Sequence, residues 1–577
     1  MTGIALRTLF AILVIAGVFV SRTRVPTGRR PGVLWCWLGL PLAIGAPLLP
    51  FLSIHIALWG LVSWLAGIGP AWFINRHRLD EHFDWVKYGP AKHISGSRLM
   101  PAVAIARQAR KQDSRIRIGG IPFPRELEPV HTLLIGTTGS GKTVALKTVL
   151  DQAEAAGQRV IVVDSGADMA TRYYDAGRGD VILNPLDARC APWSPLAEIR
   201  NIADCLAIAR SICPTGEGSD KTWTLAAQNF LSAIFQKLLD KPDATNRDFL
   251  HWVAIATIED LRGFLDGTQA APYVAEGNER MFGSVRSTAM ERTAALFLLD
   301  PDAGRDGFSI RRWVGEDGKS WLFATYQDDQ LEMLRFLISS IVDIAAVATL
   351  SLPQSPTRRV FFSLDEFDSI GKVDSVISLL TKGRKYGASA WVGIQTIAQL
   401  RKNYGQDGAQ TVAGNLGSWL VLLTPDPETA DYVSKKLGSG DYERKKHNFS
   451  LNSGGHGHTL SEDIERDIPA IPTGDILTLP RASRELRTPP QGYLQLSGFQ
   501  PARITLDFPP GRPERDADDA LGKYGYTPRA DMQKAAAVAE QVARAAGAAR
   551  GNPDAPGEDD IEGLLASMGQ TGNSVTA

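Results

Sequence analysis

At 577 residues the chain is too long for one ordinary domain, so two or three domains with tails are expected. The formal net charge of −1 removes bulk electrostatics as evidence of nucleic-acid binding, and any such claim has to rest on motifs. The four cysteines, Cys36, Cys190, Cys205 and Cys213, match neither a paired zinc motif nor a disulfide framework, and the last three suit a reducing compartment.

The chain opens with apolar blocks. Residues 8–20 are uncharged, with Arg7 before them and Arg22 and Arg24 soon after; no small-x-small cleavage site follows, which favours a membrane span over a signal peptide. From Pro31 to Asn75 there is no Asp, Glu, Lys or Arg, and one crossing takes about 20 residues, so this stretch is long enough for two with a break near 45–50. Arg22, Arg24, Arg29 and Arg30 lie between the blocks, and Arg76, His77 and Arg78 follow the last. The positive-inside rule puts both clusters in the cytoplasm. The expectation is an N-terminal anchor over 1–78 with two or three transmembrane helices, and everything after it cytoplasmic. Residues 79–129 read as a polar connector, made basic by Arg107, Arg110, Lys111, Arg115 and Arg117; a solvated face is the plain account, with lipid headgroups or DNA phosphates as the alternatives.

Gly136-Thr137-Thr138-Gly139-Ser140-Gly141-Lys142-Thr143 matches the phosphate-binding loop G-x-x-x-x-G-K-[ST] at every defined position. An apolar strand over 130–135 precedes it and helix formers over 144–156 follow, the setting the motif requires. The glycines let several N–H groups face one phosphate, and the helix adds the positive end of its dipole. Lys142 can reach the β- and γ-phosphates of ATP, and the Thr143 hydroxyl can ligate Mg2+.

Strands are expected over 159–164 and 181–183. Residues 200–212, 222–239, 257–265 and 281–299 then carry apolar residues at helical spacing, which predicts an all-α insertion over 197–300. Strand signals return at 321–325, with a helix over 328–350. Arg359 to Glu366 is an apolar strand ending in Asp-Glu, as a Walker B element does: Asp365 would hold Mg2+ and Glu366 would polarise water. A strand over 388–394 ends at Gln395, placed to sense the γ-phosphate, and Arg384 in the preceding basic turn is a candidate arginine finger. A surface arginine and a buried amide are the plainer readings of these two. Further strands are expected at 419–423, 492–497 and 502–508, and a helix at 427–437. The polar stretch 439–466 reads as a mobile loop. Its Leu451–Gly455 string superficially matches a transporter ATPase signature but follows Walker B instead of preceding it, and His456 and His458 lack metal-ligand spacing.

The fold class that emerges is α/β: a RecA-like P-loop motor with a mostly parallel sheet over 130–196 and 301–510, an all-α inserted domain, and N-terminal transmembrane helices. Residues 511–577 read as a disordered acidic C-terminal tail. Residues 551–577 hold Asp554, Glu558, Asp559, Asp560 and Glu562 and no Lys or Arg, with Ile561, Leu564, Leu565 and Met568 as a short apolar hook for a partner protein.

One string is not a general ATPase feature: Ile182-Leu183-Asn184-Pro185-Leu186-Asp187-Ala188-Arg189-Cys190, followed by Ala191-Pro192-Trp193. With Arg117-Ile118-Gly119, Gly383-Arg384-Lys385, Gly393-Ile394-Gln395, Ala398-Gln399-Leu400 and Pro425-Asp426-Pro427-Glu428-Thr429-Ala430, it resembles the TraD/TrwB-type coupling proteins of type IV secretion and conjugation systems, over about 113–508. The resemblance implies a homo-hexameric ring in the bacterial inner membrane, multi-pass, with a cytoplasmic ATPase domain. It implies ATP hydrolysis with Mg2+, stimulated by DNA, and pumping of single-stranded DNA toward the secretion channel components. It also implies relaxase and relaxosome proteins as partners, Arg384 as a finger acting across subunits, and Gln395 as the sensor. One departure stands out: many relatives have Gly-Glu after the second strand, whereas Gly166 here is followed by Ala167 and Asp168. The rival readings are an FtsK-type DNA translocase, which leaves the 184–190 string and the helical insertion unexplained, and a membrane docking platform switched by nucleotide.

Overall fold

The computed structural model describes residues 92–216, 218–452, 455–511 and 529. The apolar N-terminal blocks and, apart from Arg529, the tail beyond 511 lie outside them. In chain order the elements begin with β1 (Lys92–Gly96), α1 (Ala102–Ala109), β2 (Ser114–Ile118), β3 (Ile121–Pro124), β4 (Thr132–Ile135) and α2 (Lys142–Ala155). Next come β5 (Arg159–Ser165), α3 (Asp168–Tyr173) and β6 (Val181–Ile182). The helical region follows, with α4 (Ile202–Ile212), α5 (Asp220–Leu239), α6 (Asn246–Leu250), α7 (Ile258–Phe264), α8 (Glu279–Thr293) and α9 (Ile310–Gly315). The chain then returns to the sheet with β7 (Trp321–Tyr326), α10 (Leu331–Leu350), β8 (Val360–Leu364), α11 (Asp374–Lys382), β9 (Ala388–Ile394), α12 (Ile397–Asn415), β10 (Ser418–Val421) and α13 (Pro427–Leu437). It ends with β11 (Ser439–Asn452), β12 (Gly455–Pro469), α14 (Thr473–Leu477), β13 (Gln491–Gln495) and β14 (Ala502–Thr505).

The larger of two compact units spans 97–439 and the residues from 469 onward. Its nine-stranded sheet runs β14-β13-β10-β4-β9-β8-β5-β7-β6. The seven strands from β10 to β6 are parallel, and β13 and β14 close one edge antiparallel. Both faces are covered, so the central strands are continuous apolar runs: Val160, Ile161, Val162 and Val163 of β5 are all fully buried. One face packs on α2, α3 and the α1–β2–β3 layer, and the other on α10 and the helical insertion. The fold is therefore the expected α/β architecture with an all-α insertion.

Local chemistry sets the helix ends. Asn201 caps α4 by accepting from the N–H groups of Ala203 and Asp204. Asp426 caps α13, with Pro427 in the first turn. The insertion is tied at its base by one buried carboxylate. Glu198 accepts from Trp193 Nε1, from Ser309 Oγ, and from the N–H groups of Ile310 and Arg311, joining the entry of the insertion to its exit. Helix Asp328–Leu350 is long and apolar enough to cross a membrane, but its apolar side is spent on the core under the sheet.

Two expectations change. Residues 439–466, expected as a mobile loop, form β11 and β12, which with β1 make the three-stranded sheet of the smaller unit. β1 and β11 pair antiparallel, Lys92 opposite Glu443. The polar sequences of β11 and β12 carry no apolar alternation to read, and the usable signal was the turn-type string Asn452-Ser453-Gly454-Gly455 between those two strands. The connector, too, is folded onto the larger unit from α1 onward. Ile105, Ile116, Ile118, Ile121 and Phe123 are buried against α2, while Arg107, Arg110, Lys111, Arg115 and Arg117 are exposed.

Candidate nucleotide site

Parallel strands deliver the site. β4, β9 and β8 are adjacent in that order, with Ile135 opposite Ile394 and Val392 opposite Leu364. The residues that follow these strands, Gly136, Gln395 and Asp365, therefore leave the same carboxyl edge of the sheet. That edge is where open α/β sheets bind ligands.

The phosphate loop joins β4 to α2. Gly141 sits at φ 108°, outside what a side chain tolerates, and a Cβ there would lie 2.5 Å from Pro490. Thr137 N–H donates to the Leu423 carbonyl, and Ala482 N–H to the Gly139 carbonyl, so the loop is held from both sides. The Lys142 ammonium, 6% exposed, donates to the Gly136 carbonyl at 2.7 Å. Burial lowers its pKa, against the charges of Asp365, Glu366 and Asp368.

The Thr143 hydroxyl donates to Asp365 Oδ2 at 3.2 Å, so the two groups expected to hold a metal meet at one point. Both are hard oxygen donors, as Mg2+ requires. Gly393 leaves the space: a Cβ there would come within 2.8 Å of Asp365 Oδ1. Burial raises the Asp365 pKa, and the Lys142 charge and Thr143 bond oppose it. Glu366 has φ 52°, which turns its side chain out of the strand line toward β9. There Gln395 Nε2 donates to Glu366 Oε1 at 3.2 Å. Burial, then the charge of Asp365, raises the Glu366 pKa in the direction a general base needs.

Lys142 and Thr143 of the loop stand beside Asp365, and Gln395 reaches Glu366 next to it. Arg384 does not join them. It is exposed in the turn Gly383–Tyr386 ahead of β9, at the opposite end of a strand about 20 Å long. It cannot serve the phosphate loop of its own chain.

Two acidic residues were missed. Asp368, in the turn after Walker B, shares the field of Lys142 and Asp365, and burial raises its pKa. Its signal was the spacing Asp-Glu-x-Asp. Asp164, at the end of β5, is buried and accepts from the N–H groups of Met169 and Ala170. Burial pushes it up to about 7, helped by the charges of Asp168 and Asp365. Asp168, the second residue after Gly166, is exposed and pairs with Lys147 at 3.6 Å.

The 182–193 string does not reach this site. It builds a turn at β6, the far edge of the sheet. Asn184 Oδ1 accepts from Leu186 N–H, Asp187 pairs with Arg189 at 2.6 Å, and Ala191 N–H returns to the Ile182 carbonyl. Arg529 closes it from outside, donating to the carbonyls of Leu186, Pro185 and Leu298.

Comparison with known proteins places this arrangement. The model of the type IV secretion-system coupling protein DNA-binding domain matches residues 115–505. The bacterial conjugative coupling protein TrwBdeltaN70 superposes with a TM-score of 0.65 at 31% identity, over 75% of this chain and 98% of that one. TrwB has also been solved with the ATP analogue ADPNP, and with ADP and Mg2+, each at 31% identity, TM-score 0.64, and 74% and 98% coverage. Coupling protein TraD of Escherichia coli (strain K12) is 28% identical over 414 residues, 70% of this chain and 56% of TraD. Conjugal transfer protein TraG of Rhizobium radiobacter is 27% identical over 72% of this chain and 71% of TraG. The chain thus spans little more than half the length of TraD. From its motifs, its fold and these matches, the chain belongs to the type IV secretion-system coupling protein family.

Proposed function

We propose that this chain is the membrane-anchored ATPase of a conjugation apparatus, which gathers relaxase and relaxosome proteins and drives single-stranded DNA toward the secretion channel as a homo-hexamer in the bacterial inner membrane. The observation that carries the enzymatic half is the meeting of Thr143 and Asp365 beside Lys142, with Glu366 held by Gln395. The family's DNA-binding domain and the names of the relatives support the transport half.

In this reading the loop amides and Lys142 hold the ATP phosphates. Thr143 and Asp365 hold Mg2+, which when bound supplies positive charge to the phosphate oxygens. Glu366 orients the water that attacks the γ-phosphorus and accepts its proton, releasing ADP and phosphate. Gln395 fixes the direction of the Glu366 carboxylate. Arg384 reaches the site of the neighbouring subunit, a role supported by its exposure at the far end of β9.

Two variants of the full-length protein test the assignment. Glu366→Gln is expected to lower kcat by about 10²- to 10⁴-fold while nucleotide affinity holds. Lys142→Ala is expected to weaken nucleotide binding itself. Parental turnover in Glu366→Gln would remove Glu366 from the role of base.

A further inference from the structure

Helix α12 touches both functional ends of the protomer. Its first half starts directly after Gln395, capped by the Thr396 hydroxyl, which accepts from Gln399 N–H. That half is fastened to the turn after Walker B at several points. Gln395 donates to Glu366 Oε1, and Asn403 Nδ2 donates to the Asp368 carbonyl. The Tyr404 ring stacks on Phe367 with centroids 5.7 Å apart and planes 22° from parallel. Its hydroxyl accepts from Val373 N–H at 3.0 Å.

The helix then breaks. Gly405 has φ 70° and ψ 176°, outside any helical conformation, and divides α12 into two segments. The second segment ends at Asn415, whose Nδ2 donates to Thr381 Oγ1 at 3.2 Å.

Val373 is the N-cap of α11 and Thr381 lies in its last turn, and α11 runs straight into the turn that carries Arg384. The start of α11 is pinned twice: to Tyr404, and to Asp343 of α10, which accepts from Ser375 N–H and Ser375 Oγ. The far end, toward Arg384, is held to α12 by the exposed Asn415–Thr381 bond. Leu379 and Leu380 are buried in the core, so α11 moves as one rigid rod, and a shift at its start is carried to the Arg384 turn.

We propose that α12 is a link through which the state of a protomer's own nucleotide site sets the position of the Arg384 that it offers to its neighbour. The first half and the Walker B turn move as one body through Tyr404, Gly405 absorbs the change of angle, and α11 carries the movement to Arg384. The inference rests on the reading of Arg384 as a finger acting across subunits. Tyr404 is a positioning residue here and touches no substrate.

Mixed assemblies of the full-length protein test it. Parental subunits are doped with Lys142→Ala subunits, which cannot hold nucleotide but keep Arg384. With one third of subunits replaced, independent sites would retain about 67% of the rate, whereas sites that each need a loaded neighbour retain about 44%. The parental protein is expected near the lower figure. Tyr404→Phe, which keeps the ring stack and removes the hydroxyl, is expected near the higher, relative to its own undoped rate. Gly405→Ala is expected to behave as Tyr404→Phe does and guards against a fault in one variant. A parental curve at the higher figure, or variant curves that superpose on a parental curve at the lower, would overturn the link. Homogeneous Arg384→Ala separates the two ideas: if it is slow while the curves superpose, only the link falls; if it turns over at the parental rate, the finger falls and takes the link with it.

Discussion

Asp164 carries a titration the fold has to accommodate. Its carboxyl is buried and pushed up to about 7, chiefly by burial, against a usual value near 3.9. A carboxyl raised in the folded state favours folding while protonated, so its contribution is complete below about pH 4 and is lost as pH rises through 7. Three units correspond to about 4 kcal/mol. Asp164→Asn, which keeps an acceptor for Met169 and Ala170, is expected to flatten the fall in unfolding free energy between pH 5 and 8, measured by denaturant titration. An unchanged slope would mean that Asp164 stays ionised in the folded protein. Glu198 is the second residue on which much depends. Glu198→Ala would strand the Trp193 indole N–H and two backbone N–H groups in the core, a loss on the order of 3 kcal/mol that thermal unfolding would register as a lower Tm. A Tm equal to that of the parent would show that water replaces the carboxylate. Neither residue announced itself in the sequence. Asp164 reads as the end of a strand and Glu198 as one acid among many, because what makes each special is contact with residues that are near only after folding.

Among the elements, legibility followed burial. β5, β8 and β9 lie between two packed layers, so their runs of Val, Ile, Phe and Ala stand out, and the phosphate loop and Walker B could be hung on them. β2 alternates Arg115, Ile116, Arg117 and Ile118, a half-buried pattern, yet the surrounding charge made it read as connector. β11 and β12 lack a readable apolar face altogether. α12 was missed for a different reason: Gly405, Gly408 and Gly414 interrupt it, and glycine inside a helix normally argues against one. Its tertiary bonds to Asp368, Val373 and Thr381 hold it in place regardless. The motif residues were legible as chemistry. Their geometry was less so, since the Gln395–Glu366 bond depends on β9 lying beside β8, which no local pattern states.

For the whole molecule, the sheet order explains the division of labour. The carboxyl edge gathers Lys142, Thr143, Asp365, Glu366 and Gln395, while the opposite edge presents Arg384 to solvent. Under the proposed function, Arg384 is the cation that such a subunit offers to its neighbour, and a closed ring in which each subunit completes the next follows from that reading. The helical insertion shares one continuous core with the sheet, so a shift at the site has a packed route into it. The near-neutral net charge leaves the proposed DNA binding to local surfaces, and phosphate contacts are generic, so stimulation of turnover discriminates better than affinity.

The most direct measurement is therefore the ATPase rate of the full-length protein with and without single-stranded DNA, across protein concentration, with Lys142→Ala as the control for contaminants. The account predicts a rate that DNA raises and that climbs cooperatively with concentration as rings form. Nucleotide binding without turnover in assembled rings, or turnover indifferent to DNA, would contradict it and favour a docking platform.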